Sequence, residues 1–525
     1  MRNKEHDYLL EPAREIVYQD SDKATLGLLL NRENERRLSG SYSGLTPPSY
    51  NGWYHGRAFD WDHMKHIIIW GRNRTPESLI AGQTEYGAVF AGQCESGKVP
   101  NQRLLYGKKT FEAKITGSKE SNFYSQPPMG SIGGVEFINS MTMFSPEAAR
   151  DFLDSIYDNL YREATYWPKH RQNGPDDKRL GVVSGEETGM DESPIFDHQL
   201  PFKRLARNGL KTPTYINVAN MAIHFAGRMW LDRKRRGLRE DQVDPDEPAT
   251  HKGLKEAREI FWVMPVQMQS IVCANLYSFA SLADLHGKND DALEARGYAD
   301  SLASQVVSDV NDPENPGMWD PSARGGRGMF RDLDRNGKPI DAHGRFGRVT
   351  EEVTASSLCA ILLPNLTETQ LLSVVDMAVE EFLDDYGLST VGKGSPNYDP
   401  DHRELESGRW RGPGWLDQPW IFAEGLTLHI NRNDISQETR EKCQRLLCQL
   451  RDTSLKALEK WHCEGKPVPE YYSHRTGRPF RLYKVRGFGW NNLGYVMPPD
   501  ERPSFFSRAL LANVHYQETD EELAA

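Results

Sequence analysis

Residues Val263 to Leu285 set the strongest constraint on what this chain can fold into. Small and apolar side chains run nearly all round the helical wheel there, including Ile271, Val272, Cys273, Ala274, Leu276, Phe279 and Ala280. A helix without a polar face has to be covered on most sides. Other segments are amphipathic. Ser145-Pro146 supplies an N-cap and a favoured first helical residue, and Phe152, Ile156 and Leu160 follow at helical spacing. Thr367 and Gln370 form a capping-box pattern ahead of Leu371, Val375, Ala378 and Phe382 on one face. Ser436 is placed to cap a helix running through Leu446, Leu450 and Leu458. Buried helices alternating with amphipathic ones predict two concentric helical layers, an all-α fold. Strand patterns are sparse, and there is neither an internal repeat nor a clean linker. Residues 1–525 are therefore expected to form one domain, with a surface insertion around 203–255 whose charged, Pro-containing part is 232–255.

The connections between helices are long and rich in Gly, Pro, Trp and Asp, as at 47–62, 92–130, 181–202, 388–420 and 464–492. Connections beyond ~15 residues are usually functional or disordered. With 12 Trp and 21 Tyr in the chain, these are too aromatic for disorder, so they are expected to gather at one end of the helical layers. The net charge of −11 argues against a nucleic-acid partner, which wants a basic face. The basic run Arg233-Lys234-Arg235-Arg236 is flanked by acidic residues and reads as a solvated helix face. No stretch approaches the ~20 apolar residues of a membrane span. The N-terminus lacks the apolar core of a signal peptide, and the six cysteines form no CxxC pair. A cytoplasmic protein with reduced thiols is expected, with homo-oligomer formation left open.

Chemistry concentrates in a few segments. Glu186-Glu187-Thr188-Gly189-Met190-Asp191-Glu192-Ser193-Pro194 packs carboxylates around a glycine and ends in proline, so it reads as a loop. Trp61 and Asp62 join an indole to a carboxylate. Sugars present apolar C–H faces to rings and hydroxyls to acceptors, so this pairing suits a sugar subsite. Trp410-Arg411-Gly412-Pro413-Gly414-Trp415 sets two indoles around a turn, with Arg411 able to orient a carboxylate. Glu470 stands beside Tyr471 and Tyr472, aromatic bulk that can tune a base. Three signals are weaker. Residues 92–98 nearly match a P-loop, but Val99 replaces the Mg-binding hydroxyl and Pro100 breaks the helix that must follow. Asp332-Leu333-Asp334-Arg335-Asn336-Gly337 opens like an EF-hand but has His343 at its twelfth position. His63 and His66, with His55 upstream, lack an acidic zincin pattern and read as ordinary satisfied histidines.

In order along the chain, these segments resemble family 63 glycoside hydrolases and the related family 37 trehalases. The acid motif of that group is matched by Glu187-Thr188-Gly189-Met190-Asp191-Glu192-Ser193-Pro194, and its Trp-Arg-Gly-Pro-Val-Trp motif by Trp410 to Trp415, with Gly414 in place of Val. Its Trp-Asp-Ser motif is similar to Trp61-Asp62-His63, where His63 departs from Ser, and its Gln-Pro-Pro motif to Gln126-Pro127-Pro128. A late Glu-Tyr segment followed by Phe-x-Trp corresponds to Glu470-Tyr471-Tyr472 and Phe488-Gly489-Trp490. The resemblance implies an (α/α)6 barrel and inverting hydrolysis of an α-glycoside. It implies Asp191 as general acid and Glu470 as general base, with Trp61, Asp62, Gln126, Trp410, Arg411 and Trp415 lining the sugar site. Such chemistry needs one acid and one base and neither metal nor cofactor. The compact members it is most similar to hydrolyse mannosylglycerate or glucosylglycerate, so a small glucoside or mannoside is the expected partner. Trehalase, α-glucosidase activity on short oligosaccharides, and a non-catalytic sugar-binding barrel are the alternatives. Retention of both carboxylates disfavours the last. Arg57, His55, His63 and Lys65 are the cationic candidates for gripping an anionic aglycone.

Overall fold

The computed structural model describes residues 20–39, 45–49, 54–105, 125–191, 193–199, 261–343, 349–401, 410–464, 466–480, 487–499 and 502–513. The expected insertion at 203–255, with its basic run, lies outside the described residues. The long helices are α1 (Ser21–Ser39), α2 (Asp60–Asn73), α3 (Pro76–Phe90), α4 (Gly130–Thr142), α5 (Pro146–His170), α6 (Val266–His286), α7 (Asn289–Val307), α8 (Glu368–Met377), α9 (Asp417–Ile430) and α10 (Gln437–Cys463).

Two kinds of helix alternate. In α2, α4, α6 and α9 nearly every residue is buried, whereas α3, α5, α7 and α10 bury only one face. The short helix Ala355–Leu358, continued by the tighter turn Cys359–Leu362, and the turn Gly489–Val496 are also buried throughout, apart from the half-buried Tyr495. These six buried elements touch in a closed ring: α2 to α4, α4 to α6, α6 to 355–362, 355–362 to α9, α9 to Gly489–Val496, and that turn back to α2. Helices α1, α3, α5, α7, α8 and α10 lie outside. This is an (α/α)6 barrel, and it follows from the pattern of burial: an inner helix faces neighbours on both sides and has no solvent face to fill with polar residues. Inner helices approach closely where a side chain is absent. A Cβ on Gly425 would stand 2.6 Å from the carbonyl oxygen of Ile361.

The predicted caps hold. Ser145, Thr367 and Ser436 each accept a hydrogen bond from the backbone three residues on, and Thr367 with Gln370 completes the capping box. The buried helix begins later than its hydrophobicity suggests. Val263–Met264 form a two-residue strand against Leu333–Asp334, and α6 starts only after Pro265, which holds an extended backbone and cannot donate a ladder bond. Asp332, at the start of the EF-hand lookalike, is a buried cap instead. It accepts from Val266 N at 2.8 Å and from Ser356 Oγ at 2.6 Å. The P-loop lookalike is a closed turn, Cys94 N to Lys98 O at 2.9 Å, with Lys98 fully buried. Among the described residues no helix is long and apolar enough to cross a membrane.

Candidate active site

The first residues of α2, α4, α6 and α9 lie toward one end of the barrel, and the aromatic loops converge on the start of α2. Trp61 is in its first turn, and its backbone N–H donates to Gln126 Oε1 at 2.8 Å. This fixes Gln126, from the loop before α4, against Trp61. The acidic loop closes over the same point. Gly189 has φ +68°, which favours glycine, and a Cβ there would stand 2.9 Å from Trp61 Nε1.

That loop is held by an ion pair the sequence does not announce. Glu187 is fully buried and takes Arg171 bidentately, Nη2 to Oε1 at 2.7 Å and Nη1 to Oε2 at 3.1 Å. It also accepts from Val183 N at 2.8 Å and Ser125 N at 3.2 Å. One carboxylate therefore joins the end of α5, the acidic loop and the segment carrying Gln126. Breaking one partner of such a pair is costly because a charge is left buried and uncompensated. Asp191, four residues on, is half-buried and accessible.

Asp62 lies within electrostatic reach of Asp191. Burial pushes its carboxyl up to about 6, Lys65 and His66 pull it down, and the neighbouring Asp191 and Asp417 carboxylates push it up. Lys65 sits one turn further along α2, fully buried between two indoles. Its Nζ is 3.6 Å from the Trp61 ring centroid, 3.3 Å from that of Trp490 and 2.8 Å from Asp417 Oδ2. Burial pushes the ammonium down to about 7 and the Asp417 carboxyl up. The hydrogen bond and the two ring faces oppose that trend and favour the charged pair.

The aromatic wall continues from Trp490. Trp415 stacks with Trp490 (centroids 5.5 Å apart), with Tyr471 (5.4 Å) and, nearly parallel at 7°, with Trp410 (4.3 Å). Both indoles of the Trp410–Trp415 turn are 2% exposed, so much of Trp415 is taken up by protein rings. The turn is tied to the Glu470 segment by paired bonds between Gly414 and Tyr472, 2.7 and 3.1 Å. Asn491 clamps both: its Nδ2 donates to the carbonyls of Pro469 (2.6 Å) and Glu470 (2.7 Å), and its Oδ1 accepts from Leu416 N at 3.2 Å. Tyr54 Oη donates to Glu470 Oε1 at 3.4 Å, and its ring packs on Phe59, two residues before Trp61.

The structure thus draws Trp61, Asp62, Gln126, Asp191, Trp410, Trp415 and Glu470 into one linked neighbourhood, and Arg411 joins it next to Trp410 in the same turn. Two of the cationic aglycone candidates are corrected. Lys65 and His63 are fully buried and face the interior. His55 is engaged by the buried Glu35 at 2.7 Å. Glu187, Arg171, Asp417, Tyr54 and Asn491 were not identified as site residues from sequence, because their partners come together only in the fold. His63 and His66 are not ordinary satisfied histidines either. His63 Nε2 and both nitrogens of His66 are buried without a hydrogen-bond partner.

Known structures with the same architecture include the GH63 mannosylglycerate hydrolase of Thermus thermophilus in complex with glucose. The likeness covers 91% of this chain and 99% of that one, with a TM-score of 0.62 at 18% identity. The complex of that enzyme with Tris and D-glycerate matches over 94% of this chain and 99% of that one, with a TM-score of 0.61 at 17% identity. At such identity the likeness carries the fold. A mannosyl-oligosaccharide glucosidase of Arabidopsis thaliana is 25% identical over 123 residues, 23% of this chain and only 14% of the plant protein. The family described as the mannosylglycerate hydrolase MGH1-like glycoside hydrolase domain matches residues 56–491, a span containing Trp61, Asp62, Gln126, Asp191, Trp410, Arg411, Trp415 and Glu470. The chain belongs to that family of glycoside hydrolases.

Proposed function

We propose that this glycoside hydrolase inverts the anomeric centre of a small α-glucoside or α-mannoside, of the glucosylglycerate or mannosylglycerate kind. Asp191 is the general acid that protonates the glycosidic oxygen. Glu470 is the general base that activates a water on the opposite face of the ring. The observation that carries this reading is the convergence of two separately anchored carboxylates on one aromatic-walled end of the barrel. Asp191 is held through the Glu187–Arg171 pair, and the backbone of Glu470 is held by Asn491. Fixing both relative to Trp61 is what general acid–base catalysis needs, since misplacement by ~1 Å is expensive. A carboxyl separation of about 6.5–9.5 Å leaves room for the water and belongs to inversion.

Trp61, Asp62, Gln126, Trp410, Arg411 and Trp415 form the sugar subsite, with Asp62 accepting from hydroxyls. The glucose and D-glycerate held by the Thermus enzyme suggest which compounds to try first. The test is a hydrolysis screen over glucosylglycerate, mannosylglycerate, trehalose, kojibiose and nigerose. Turnover of a glycerate glycoside well above the disaccharides supports the reading. Turnover of trehalose alone replaces it with a trehalase. No turnover of any α-glycoside leaves a sugar-binding barrel.

A further inference from the structure

We propose that His63, His66 and Glu85 form a buried binding site for one divalent transition-metal ion of the zinc class, pinning α2 to α3 behind the sugar subsite. His63 and His66 are three apart on α2 and so share a face. Glu85 reaches them from the adjacent outer helix α3. One ligand atom from each lies within 4.8 Å of the other two, and all three side chains are fully buried.

The donor atoms are individually prepared. His63 Nδ1 lies 2.8 Å from the carbonyl oxygen of Phe59 and 3.0 Å from the Phe59 backbone nitrogen. In the tautomer that donates to that carbonyl, which metal binding selects, Nε2 keeps a bare lone pair, and that nitrogen has no hydrogen-bond partner. A backbone carbonyl fixing the tautomer of a ligand imidazole is the usual arrangement behind a metal. Glu85 is fixed in the same way: Oε1 accepts from Trp70 Nε1 at 2.9 Å, and Oε2 is left without a hydrogen bond. His66 must use Nδ1, because its Nε2 abuts Gly489, where even a Cβ would stand 2.5 Å away.

The spacing suits an ion better than a hydrogen bond. His66 Nδ1 and Glu85 Oε2 are 3.3 Å apart but not aligned as donor and acceptor. Tetrahedral zinc with bonds of about 2.0–2.1 Å has ligand–ligand edges of about 3.3–3.4 Å. The wider edges close by small rotations of the imidazoles. The Thr46 hydroxyl, buried beside Glu85, or a water completes four ligands. Two imidazoles with one carboxylate suit zinc and its neighbours rather than calcium or magnesium, which prefer oxygen. Without an ion, His63 Nε2 has no hydrogen-bond partner, and His66 Nδ1 and Glu85 Oε2 have only their poorly aligned 3.3 Å contact, an arrangement native interiors seldom leave at one buried point.

The experiment uses the full chain, purified without a histidine tag. Metal content is measured directly, then the protein is stripped with a chelator and titrated with zinc alone while melting is followed. The expected result is about one equivalent of metal per chain, a melting temperature lowered by several degrees on stripping and restored by zinc, and a tetrahedral d–d spectrum when cobalt(II) is used instead. Glu85→Gln and His63→Ser should each weaken zinc binding at least tenfold. Less than a tenth of an equivalent, with no melting response of the stripped protein to zinc, overturns the site. So does unchanged zinc affinity in both variants, which would put the ion elsewhere. If a variant does not fold, the stoichiometry and titration of the unaltered chain decide alone.

Discussion

The two ends of helix α2 bury charge in opposite ways. At its C-terminal end Arg72 donates to Glu136 (2.6 Å), Glu424 (2.7 Å) and the Val496 carbonyl (2.6 Å), while Glu424 accepts from Ser504 (2.6 Å) and Ser507 (2.7 Å). One guanidinium locks α2 to α4, to α9 and to the Gly489–Val496 turn, and Glu424 ties in residues 504–507. At the N-terminal end the carboxyl oxygens of Asp60 are buried without a partner, and burial, Glu163 and Asp62 all push that carboxyl up. Asp62 is held near 6 and Lys65 near 7. The first end directs most of its polar atoms at one another, Glu136 Oε2 excepted, and gains rigidity. The second keeps several imperfectly satisfied, the condition in which perturbed groups are available for a substrate.

If that contrast is right, substitutions at the two ends should separate activity from stability. The largest effect belongs to the open end. Asp191→Asn and Glu470→Gln should each lower turnover by ~10²–10⁴-fold or more with the melting temperature unchanged. Matched melting curves with unaltered turnover would remove that residue from the mechanism. At the closed end, Arg72→Met leaves two carboxylates facing each other in the core and should cost ~3–5 kcal/mol of stability. Turnover per folded molecule should stay close to that of the unaltered chain. A denaturation midpoint that hardly moves would contradict the structural role of the network.

Trp415 sharpens the comparison because it belongs to both descriptions. It is in the expected sugar-binding turn, yet it is stacked on three aromatic rings. Trp415→Phe should therefore cost about 1–3 kcal/mol and lower catalytic efficiency as well. Calorimetry and steady-state kinetics on one preparation measure both. Loss of efficiency alone would make Trp415 a substrate platform, and loss of stability alone would make it core.

Smallest at neutral pH is an effect that appears only in acid. His429 is buried, and its imidazole is held down at about 3 by burial and then by Arg432. Its ring bonds to the Ile361 carbonyl oxygen and to Arg432 Nη1, 3.0 and 3.1 Å, as the neutral form requires. The unfolded chain takes up a proton near pH 6.5 that the folded chain refuses. Its contribution to stability is thus present above about pH 6.5 and is lost as pH falls toward 3, at up to ~1.4 kcal/mol per pH unit. His429→Gln should flatten the acid limb of stability against pH. An unchanged slope would assign acid unfolding to other groups.

Much of the barrel was legible in the sequence. Caps at Ser145, Thr367 and Ser436 are local, and the unbroken apolar surface of α6 forces burial whatever its neighbours are. The start of α6 was misread because Val263 and Met264 are as apolar as the helix that follows, and only pairing with Leu333 and Asp334 makes them a strand. At the site, Trp61, Asp191 and Glu470 stood out through motifs. What holds them did not, because the partners are distant. Asp417 lies 352 residues from Lys65, and Glu187 serves Arg171 16 residues before it and Ser125 62 residues before it. His63 and His66 read as unremarkable because Glu85 comes from the next helix, and a spacing rule within one helix cannot supply it.

The stereochemistry of the first product tests the central claim most directly. An α-glycoside that the chain hydrolyses would be followed by proton NMR faster than the released sugar mutarotates. Acid–base catalysis by Asp191 with water activated by Glu470 predicts that the β-anomer appears first and the α-anomer only by later equilibration. Initial release of the α-anomer would mean retention through a covalent intermediate and would contradict the assignment of Glu470 as a base.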